Sequence, residues 1–491
     1  MRLQLSKQTG EVLTTMTGET SFWNIEVWRF VITLALLFGG MLLANLLRRL
    51  IPALRKSLIP SSVLGGFLVL LADALYKAVF GQSMFQVSTL EALTFHGLGL
   101  GFVAMALRHT DKIKGKQARR DVFNTSTVVV GSYLIQAIVG LLITITLFYL
   151  IGSYAAAGVL LPMGYGQGPG QAYNWGSIFQ GYTEYPAFAN GTSFGLTIAA
   201  MGFISSSVGG VYYLNKLRRA GDPRAQVVNA EEIEDLSADM VSGRGEIPMS
   251  ESMDKLTVQM GLVFVVYLVS FGAMWAVTLL LDKLGGFAVN TVKPLIWGFN
   301  FLVGTGFAIL LKSVMGHFKK AGLMQRDYIN DFMLNRISGL MFDIMVVASI
   351  AAIDLSAFAH REFWLPLLLV CVAGALITYA YNFRICRKLF PGYADEAFLS
   401  LYGQLTGTAS TGIILLREID PLFRTPASHN LIYQNLWAIL LGAPMLLLMG
   451  FVARSLTWTW IVLGILVLLL GFILVLQFRS SIFKKKKAEK A

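Results

Sequence analysis

Residues 165–172 read Tyr-Gly-Gln-Gly-Pro-Gly-Gln-Ala, and residues 402–409 read Tyr-Gly-Gln-Leu-Thr-Gly-Thr-Ala. Both stretches fit the pattern Tyr-Gly-Gln-x-x-Gly-x-Ala, and the two copies lie about 235 residues apart. Each copy falls late in its own half of a strongly apolar chain and precedes a hydrophobic segment. Glycine-rich interruptions at matching places in two halves indicate the central binding site of a transporter.

Composition places the chain in a membrane. Of its 491 residues, 55% are hydrophobic and only 14% are charged, which is too apolar for a soluble protein of this length. Apolar runs of about 18 residues or more recur along the chain and predict a polytopic helical protein. Alternation within these runs is too weak for a membrane β-barrel. The net charge of +12 lies in the loops, so topology explains it better than nucleic acid does. The two cysteines predict neither a disulfide framework nor a metal site, and we expect no removable signal peptide.

The apolar runs divide the chain into two halves. We expect an all-α polytopic fold of two inverted five-helix repeats, each with a re-entrant hairpin, plus one extra C-terminal transmembrane helix. The predicted parts are a polar N-terminal segment (1–25), the first repeat (26–214), a cytoplasmic loop (215–255), the second repeat (256–451), and the extra helix with a basic tail (452–491). The predicted spans lie near residues 26–47, 60–80, 90–107, 122–151 and 188–214, then 256–281, 294–311, 332–355, 363–381 and 430–451, and finally 456–476. Five spans per half is an odd number, so the second half has to insert upside down relative to the first.

Loop charges orient the repeats. Lys and Arg concentrate in the loops 48–56, 108–120, 216–224, 312–326 and 384–388, whereas 81–89 and 152–186 contain none. The positive-inside rule therefore predicts an external N-terminus, an internal central loop carrying the acidic run Glu231–Asp235, and an internal Lys484–Lys487 tail near anionic lipid. The first hairpin then enters from outside and the second from inside.

The chemistry of the hairpins follows from their interrupted backbone. A half-helix that starts after a glycine turn directs free N–H groups and a positive dipole end at an anion. Freed carbonyls and hydroxyls offer oxygen ligands to Na⁺. The alternative is that both stretches are glycine-rich loops with no ligand. The candidate solute-binding residues are Gly166, Gln167, Gly168, Gly170, Gln171, Asn174, Tyr402, Gly403, Gln404 and Gly407, and the candidate Na⁺ ligands are Thr406, Thr408, Ser410 and Thr411.

Other polar residues lie inside predicted spans. Asp343 follows Arg336 by seven residues, so both lie on one side of a helix. Asp343 is either a coupling residue or a structural one, and in the second case it is a member of an Asp–Arg pair or a water-facing group at a helix interface. Gln434 and Asn435 either line a cavity or bond neighbouring helices. Gly191 and Gly195 have the spacing of a helix-packing motif.

At this point the chain resembles the sodium/glutamate symporter family. The resemblance rests on Ile59-Pro60-Ser61-Ser62-Val63-Leu64-Gly65-Gly66, on residues 166–172 and on residues 402–411, and it covers about residues 31–451. Where members have Gly-His-Gly-Thr-Gly, this chain has Gly166-Gln167-Gly168-Pro169-Gly170. The resemblance implies Na⁺-coupled uptake of an acidic amino acid by a homodimer in which a core carrying both hairpins moves against a static scaffold.

The sequence therefore predicts a multi-pass protein of the cytoplasmic (inner) membrane that imports glutamate or a related small carboxylate with Na⁺ as the coupling ion. We expect no other cofactor, no nucleic-acid partner and no enzyme activity, since no phosphate-binding loop and no nucleophile–base pair is evident. The alternative is a passive channel or facilitator formed by the two hairpins.

Overall fold

The computed structural model describes residues 22–109, 115–182, 188–225, 254–286, 288–324 and 326–488. The side chains of residues 290, 436 and 480–488 are outside that description. Three sequence predictions therefore lie outside the described residues. They concern the polar segment before residue 22, the acidic run of the central loop, and the lysine side chains of the tail.

The described chain is helical throughout and contains no strand. A backbone in apolar surroundings has to satisfy its own N–H and C=O groups, which a helix does within one segment. The α-helices are α1 (Ile25–Leu50), α2 (Pro52–Lys56), α3 (Ser61–Phe80), α4 (Val87–Leu107), α5 (Lys116–Ile151), α6 (Leu160–Tyr165), α7 (Pro169–Gln180), α8 (Gly191–Arg219), α9 (Lys255–Leu281), α10 (Lys293–Gly298), α11 (Asn300–Lys320), α12 (Asp331–Ala351), α13 (Arg361–Leu389), α14 (Ala394–Thr406), α15 (Ala409–Arg417), α16 (Ala427–Tyr433), α17 (Asn435–Val452) and α18 (Leu456–Ala488).

The number of spans agrees with the sequence. Within the described ranges, 10 helices are long and apolar enough to cross a membrane, and α16 with α17 makes an eleventh span if this pair, bent by 50°, is counted as one. Large apolar side chains such as Leu42 on α1 and Leu268 on α9 are exposed on the protein surface. Such a surface suits lipid, and the prediction of an all-helical multi-pass membrane protein is confirmed.

Two predicted spans differ from simple rods. The span predicted at 294–311 begins as α10, breaks at Phe299 and continues as α11 to Lys320. The carbonyl of Gly298, at the end of α10, accepts hydrogen bonds from side chains of α7, so the break is tied to the first glycine-rich stretch. The span predicted at 430–451 starts earlier, at Ala427, and bends after Tyr433. The breaks fall beside the polar residues Asn300 and Gln434, but a polar residue inside an apolar run does not by itself predict a break.

The helices form two groups. The first helix group contains α1, α3, α4, α9, α11 and α12, and the second contains α5, α8, α13, α17 and α18 with the short helices α6, α7, α14 and α15. Helix α4 packs on α12 in the first group, and α5 packs on α13 in the second. Helix α8 joins the groups, since its residues Leu196, Ala200 and Phe203 belong to the hydrophobic core of the first.

The glycines at spacing four on α8 permit close packing against α7. A Cβ added to Gly195 would lie 2.3 Å from the carbonyl oxygen of Ala172, and one added to Gly191 would lie 2.5 Å from that of Gly176. Side chains at these positions would push the helices apart, because a backbone carbonyl cannot rotate away as a flexible side chain can. The spacing therefore acts as a packing motif that holds α7 in place.

We expect Gly195→Ala to destabilise the protein by about 1–3 kcal/mol, since the new methyl group overpacks the α7–α8 contact. The matched control is Gly272→Ala on α9, where no heavy atom lies within 4 Å of an added Cβ. That change should be neutral or mildly stabilising, by at most about 1 kcal/mol, because alanine favours helix. Thermal unfolding of the purified protein in detergent measures both variants. Equal changes in the unfolding temperature of the Gly195→Ala and Gly272→Ala variants would contradict the packing role of Gly195.

Candidate functional site

The first glycine-rich stretch interrupts a helical segment. A 3₁₀ turn (Ala155–Val159) leads into α6, which ends at Tyr165, and α7 begins at Pro169. Gly168 has φ +87°, a conformation that only glycine adopts without strain, and Pro169 then fits the first position of a helix, where no N–H is needed. The order of glycine and proline in this stretch therefore ends one helix and starts another.

The second glycine-rich stretch makes a comparable break. Helix α14 ends at Thr406, Gly407 and Thr408 are non-helical, and α15 begins at Ala409. Helices α14 and α15 pack closely because a Cβ on Gly403 would lie 2.7 Å from the Cα of Gly412. Residues 155–180 are called the first interrupted segment and residues 394–417 the second interrupted segment.

The two breaks meet inside the protein. A Cβ built on Gly168 would lie 3.5 Å from Cγ2 of Thr408, so the breaks are in van der Waals reach of each other. The first helical hydrogen bond of α7 is donated by Ala172 to Gly168, and that of α15 by Gly412 to Thr408. The N–H groups before these bonds have no partner within their helices. Two helix N-termini, each a partial positive charge, therefore begin at one place.

A cavity of about 610 Å³ opens beside this meeting point. Its walls come from both helix groups, so it lies between them. Seven of its polar lining residues belong to the second helix group or to the bend before α17, namely Gln167, Gln171, Gln404, Thr408, Ser410, Gln434 and Asn435. Much of the opposite wall is apolar, including Leu98, Phe102, Phe301 and Phe342. A pocket of this size with few convergent polar groups suits a small organic solute.

Three glutamines that line the cavity have amide oxygens without a hydrogen-bond donor among the described residues. Gln171, Gln404 and Gln434 line it with exposed fractions of 1%, 7% and 1%. The Oε1 atom of each accepts no hydrogen bond from any described residue. Buried polar atoms are usually paired because leaving one unpaired costs about 1–3 kcal/mol. These three amide oxygens are therefore buried beside the cavity without a donor from the described residues.

The structure brings seven of the predicted residues to the cavity. Gly166, Gln167, Gln171, Gln404, Thr408, Ser410 and Asp343 border it. The others do not border it. Asn174 Nδ2 donates to the Gly298 carbonyl (3.1 Å), and Tyr402 Oη donates to the Ser205 carbonyl (3.0 Å). Thr406 Oγ1 donates to its own helix at the Tyr402 carbonyl (2.7 Å), and this residue is fully buried.

The remaining predicted residues support the walls. Gly168 supplies the turn, Gly170 packs against the side chain of Leu98, and Gly403 allows the α14–α15 contact. An added Cβ on Gly407 would lie 2.9 Å from Thr411 Oγ1. That hydroxyl is 3.3 Å from the hydroxyl of Thr408, which orients the latter at the cavity edge.

Several cavity residues had no assigned role at the sequence level. Arg48, at the end of α1, lines the cavity, although its charge had suggested only the internal end of a span. Ser61 and Ser62, in the first turn of α3, also line it, as does Tyr133, whose hydroxyl donates to the Gly166 carbonyl (3.1 Å). The signal for Ser61 and Ser62 was present in the motif at residues 59–66. Nothing in the sequence distinguished Arg48 from the other loop cations.

Asp343 is not paired with Arg336. No ion pair within 4.0 Å joins them, and the Arg336 guanidinium lies over the ring of Phe332 at 5.1 Å. Asp343 instead borders the cavity, as Ser62 does. The structural alternative of an Asp–Arg pair is therefore wrong.

An ionic cluster fixes the base of the second interrupted segment. Arg224, after α8, contacts Glu396 (2.8 Å) and Asp395 (2.9 Å) in the first turn of α14, and also Asp222 (2.6 Å). Its hydrogen bonds to Asp222 lower the pKa of that carboxyl below the ordinary value. A second bridge, Arg218 to Glu418 at 3.1 Å, joins α8 to the end of α15. Both ends of the segment are thus attached to α8.

We expect Arg224→Ala to lower the free energy of unfolding by about 1–3 kcal/mol at neutral pH, because Glu396 loses its cationic partner while 3% exposed. Since Arg224 lowers the pKa of Asp222, their pairing contributes fully above the ordinary carboxyl pKa of about 3.9 and disappears as pH falls through the lowered value. Thermal unfolding between pH 7 and pH 3 should show the gap between wild type and variant closing only below about pH 4. Arg219→Ala is the control, since Arg219 is exposed and forms no ion pair with the described residues. A gap independent of pH would contradict this account.

Comparisons with known proteins assign no family to this chain. No protein-family model matches this chain, and no curated protein matches it significantly. Neither result bears on the resemblance to sodium/glutamate symporters, which stays a prediction.

Proposed function

We propose that this protein is a secondary active transporter that couples Na⁺ entry to the import of glutamate or a related small carboxylate. One observation carries the proposal. Two interrupted segments, one in each half of the chain, meet at Gly168 and Thr408 beside a cavity between two helix groups. Interrupted helices that meet at membrane depth are the usual construction of a central transport site.

The proposed architecture is an inverted repeat with two re-entrant hairpins. Each half supplies three spans to the first helix group and two to the second, and each contributes one interrupted segment to the second group. In the orientation predicted by the loop charges, residues 155–180 form a hairpin from outside and residues 394–417 a hairpin from inside. Helix α18 packs on α5, so the additional span belongs to the second group.

The anionic part of the solute fits the helix N-termini. The first turns of α7 and α15 border the cavity through Gln171 and through Ala409 and Ser410. Free N–H groups and the positive ends of two helix dipoles favour a carboxylate there. Each helix end contributes about 0.3–1 kcal/mol when exposed and more in a partly buried site.

The coupling ion fits the oxygen atoms at the same place. Hard cations select oxygen ligands such as carbonyls, hydroxyls and amide oxygens. Thr408 and Ser410 supply hydroxyls, and Gln171 and Gln404 supply amide oxygens without protein donors. Among the four threonine and serine residues predicted to bind Na⁺, Thr408 and Ser410 are the ones we assign.

The division into two groups suits an elevator-type cycle. The second helix group would carry both hairpins past the first, which remains static within a homodimer in the cytoplasmic membrane. The large apolar surfaces of α1 and α9 suit either lipid or a second copy of the chain.

We expect Gln404→Ala and Thr408→Ala to reduce Na⁺-driven uptake of radiolabelled L-glutamate in proteoliposomes at least tenfold, because each removes a ligand from a site where one hydrogen bond is worth about 1.5–3 kcal/mol. The half-saturating Na⁺ concentration should rise for Thr408→Ala. The control is Gln86→Ala, an exposed glutamine just before α4 that does not border the cavity.

Unchanged uptake in both variants would make the site assignment wrong. Uptake that ignores the Na⁺ gradient and never exceeds the external concentration would favour the channel or facilitator. Accumulation against a gradient only in the presence of Na⁺ would support the symporter.

A further inference from the structure

Two opposite charges lie on one wall of the cavity. Among the described lining residues, Arg48 and Asp343 are the only ones with a formal charge, and both belong to the first helix group. The lining amides and the hydroxyls of Thr408 and Ser410 lie on the other side. The two walls therefore differ. One carries two charged residues among mostly apolar side chains, and the other is uncharged and rich in hydrogen-bonding groups.

Both charges border the first turn of α3. Arg48 Nη1 donates to the Ser61 hydroxyl at 3.2 Å, and Ser62 lines the cavity together with Asp343. Ser61 and Ser62 are consecutive residues, and both line the cavity together with the two charged groups. They form no salt bridge with each other, since their charged atoms are more than 4.0 Å apart. The cavity is therefore bordered by a cation and an anion that do not neutralise each other through an ion pair.

Neither charge is neutralised by another described residue. Arg336 stacks on Phe332 and forms no ion pair with Asp343, and no described carboxylate lies within 4.0 Å of Arg48. An unpaired charge in the middle of a span, as at Asp343, costs about 2.5–3.5 kcal/mol or more, so such residues usually face a ligand or a wet cavity. Asp343 is more than a third exposed at the cavity wall. Its carboxylate is therefore accessible to a cation that enters the cavity.

The surroundings of Asp343 favour an organic ammonium over Na⁺. Phe102, Phe301 and Phe342 line the same wall, with ring centroids of Phe102 at 4.9 Å from Phe301 and 5.8 Å from Phe342. Aromatic faces attract ammonium groups, whereas a hard metal ion needs several oxygen ligands. The oxygen-rich wall lies opposite, on the interrupted segments.

We propose that Asp343 with Ser62 binds an ammonium group of the transported solute and that Arg48 attracts its carboxylate. The solute is then an amino acid that contacts both helix groups, in preference to a dicarboxylate that lacks an ammonium group. This inference rests on the proposed function and assigns the cationic half of its solute to the wall opposite the interrupted segments.

The test compares L-glutamate with glutarate, which has the same two carboxylates and no ammonium group. Uptake into proteoliposomes under an inward Na⁺ gradient gives a KM for each solute in wild type, Asp343→Asn and Arg48→Gln. We expect wild type to prefer L-glutamate, and Asp343→Asn to raise the KM for L-glutamate about 30-fold with little change for glutarate. Arg48→Gln should weaken both solutes alike. Ser62→Ala, which keeps the charge, should raise the KM for L-glutamate about threefold.

Each remaining outcome is decisive. Equal loss of both solutes in Asp343→Asn, with an unfolding temperature close to that of wild type, would make Asp343 a structural residue and overturn the inference. A raised half-saturating Na⁺ concentration with an unchanged glutamate-to-glutarate ratio would overturn it by assigning Asp343 to the coupling ion. Equal wild-type uptake of both solutes would overturn the inference but leave the symporter standing. No Na⁺-dependent uptake of either solute would overturn the proposed function and the inference with it.

Discussion

The structure depends on providing hydrogen-bond partners for backbone groups at two helix breaks that meet inside an apolar protein. Each break at Gly168 and Thr408 leaves N–H groups without helical partners. In hydrocarbon each such group would cost several kcal/mol, so breaks survive only where protein or a polar cavity surrounds them. Helices α4, α5, α8 and α12–α14 supply that enclosure. The cavity is the remaining space, and its polarity is a direct consequence of the two breaks.

Close packing around the breaks explains why so many contacts involve glycine. Gly202 on α8 faces the carbonyl of Thr406, where an added Cβ would lie 2.4 Å from the oxygen. Gly195 faces the carbonyl of Ala172 in the same way. Helix α8 therefore contacts both interrupted segments through its backbone. Arg218 at its C-terminal end and Arg224 in the turn after it attach it to the second segment. One helix thus positions both breaks, which keeps their distance from each other fixed.

The division of charge between the walls has a consequence for a moving carrier. Hydrogen-bonding groups on the second helix group would stay with the solute during transport. Arg48 and Asp343 belong to the first group, so their contacts with the solute would exist in only part of the cycle. A contact with the solute that exists in only one of two states makes binding stronger in that state. The difference between the two binding free energies then equals the free energy of the contact. The wall charges are therefore suited to control binding or release at one side of the membrane.

The sequence by itself determined the class of fold and the location of the breaks. Apolar runs, the repeated phrase and the turn residues Gly168 and Pro169 are local signals, because helix length and backbone conformation depend on nearby residues. It named Gln167, Gln171, Gln404, Thr408 and Ser410 as candidate site residues, and the structure places all five around one cavity. Only the tertiary structure decided that the Thr406 hydroxyl bonds to its own helix and that Arg48 borders the cavity. It also decided that Asp343 borders the cavity with Ser62 and forms no pair with Arg336. These outcomes depend on the rotation of each helix and on which neighbour packs against it, and both are set by contacts between residues far apart in the chain.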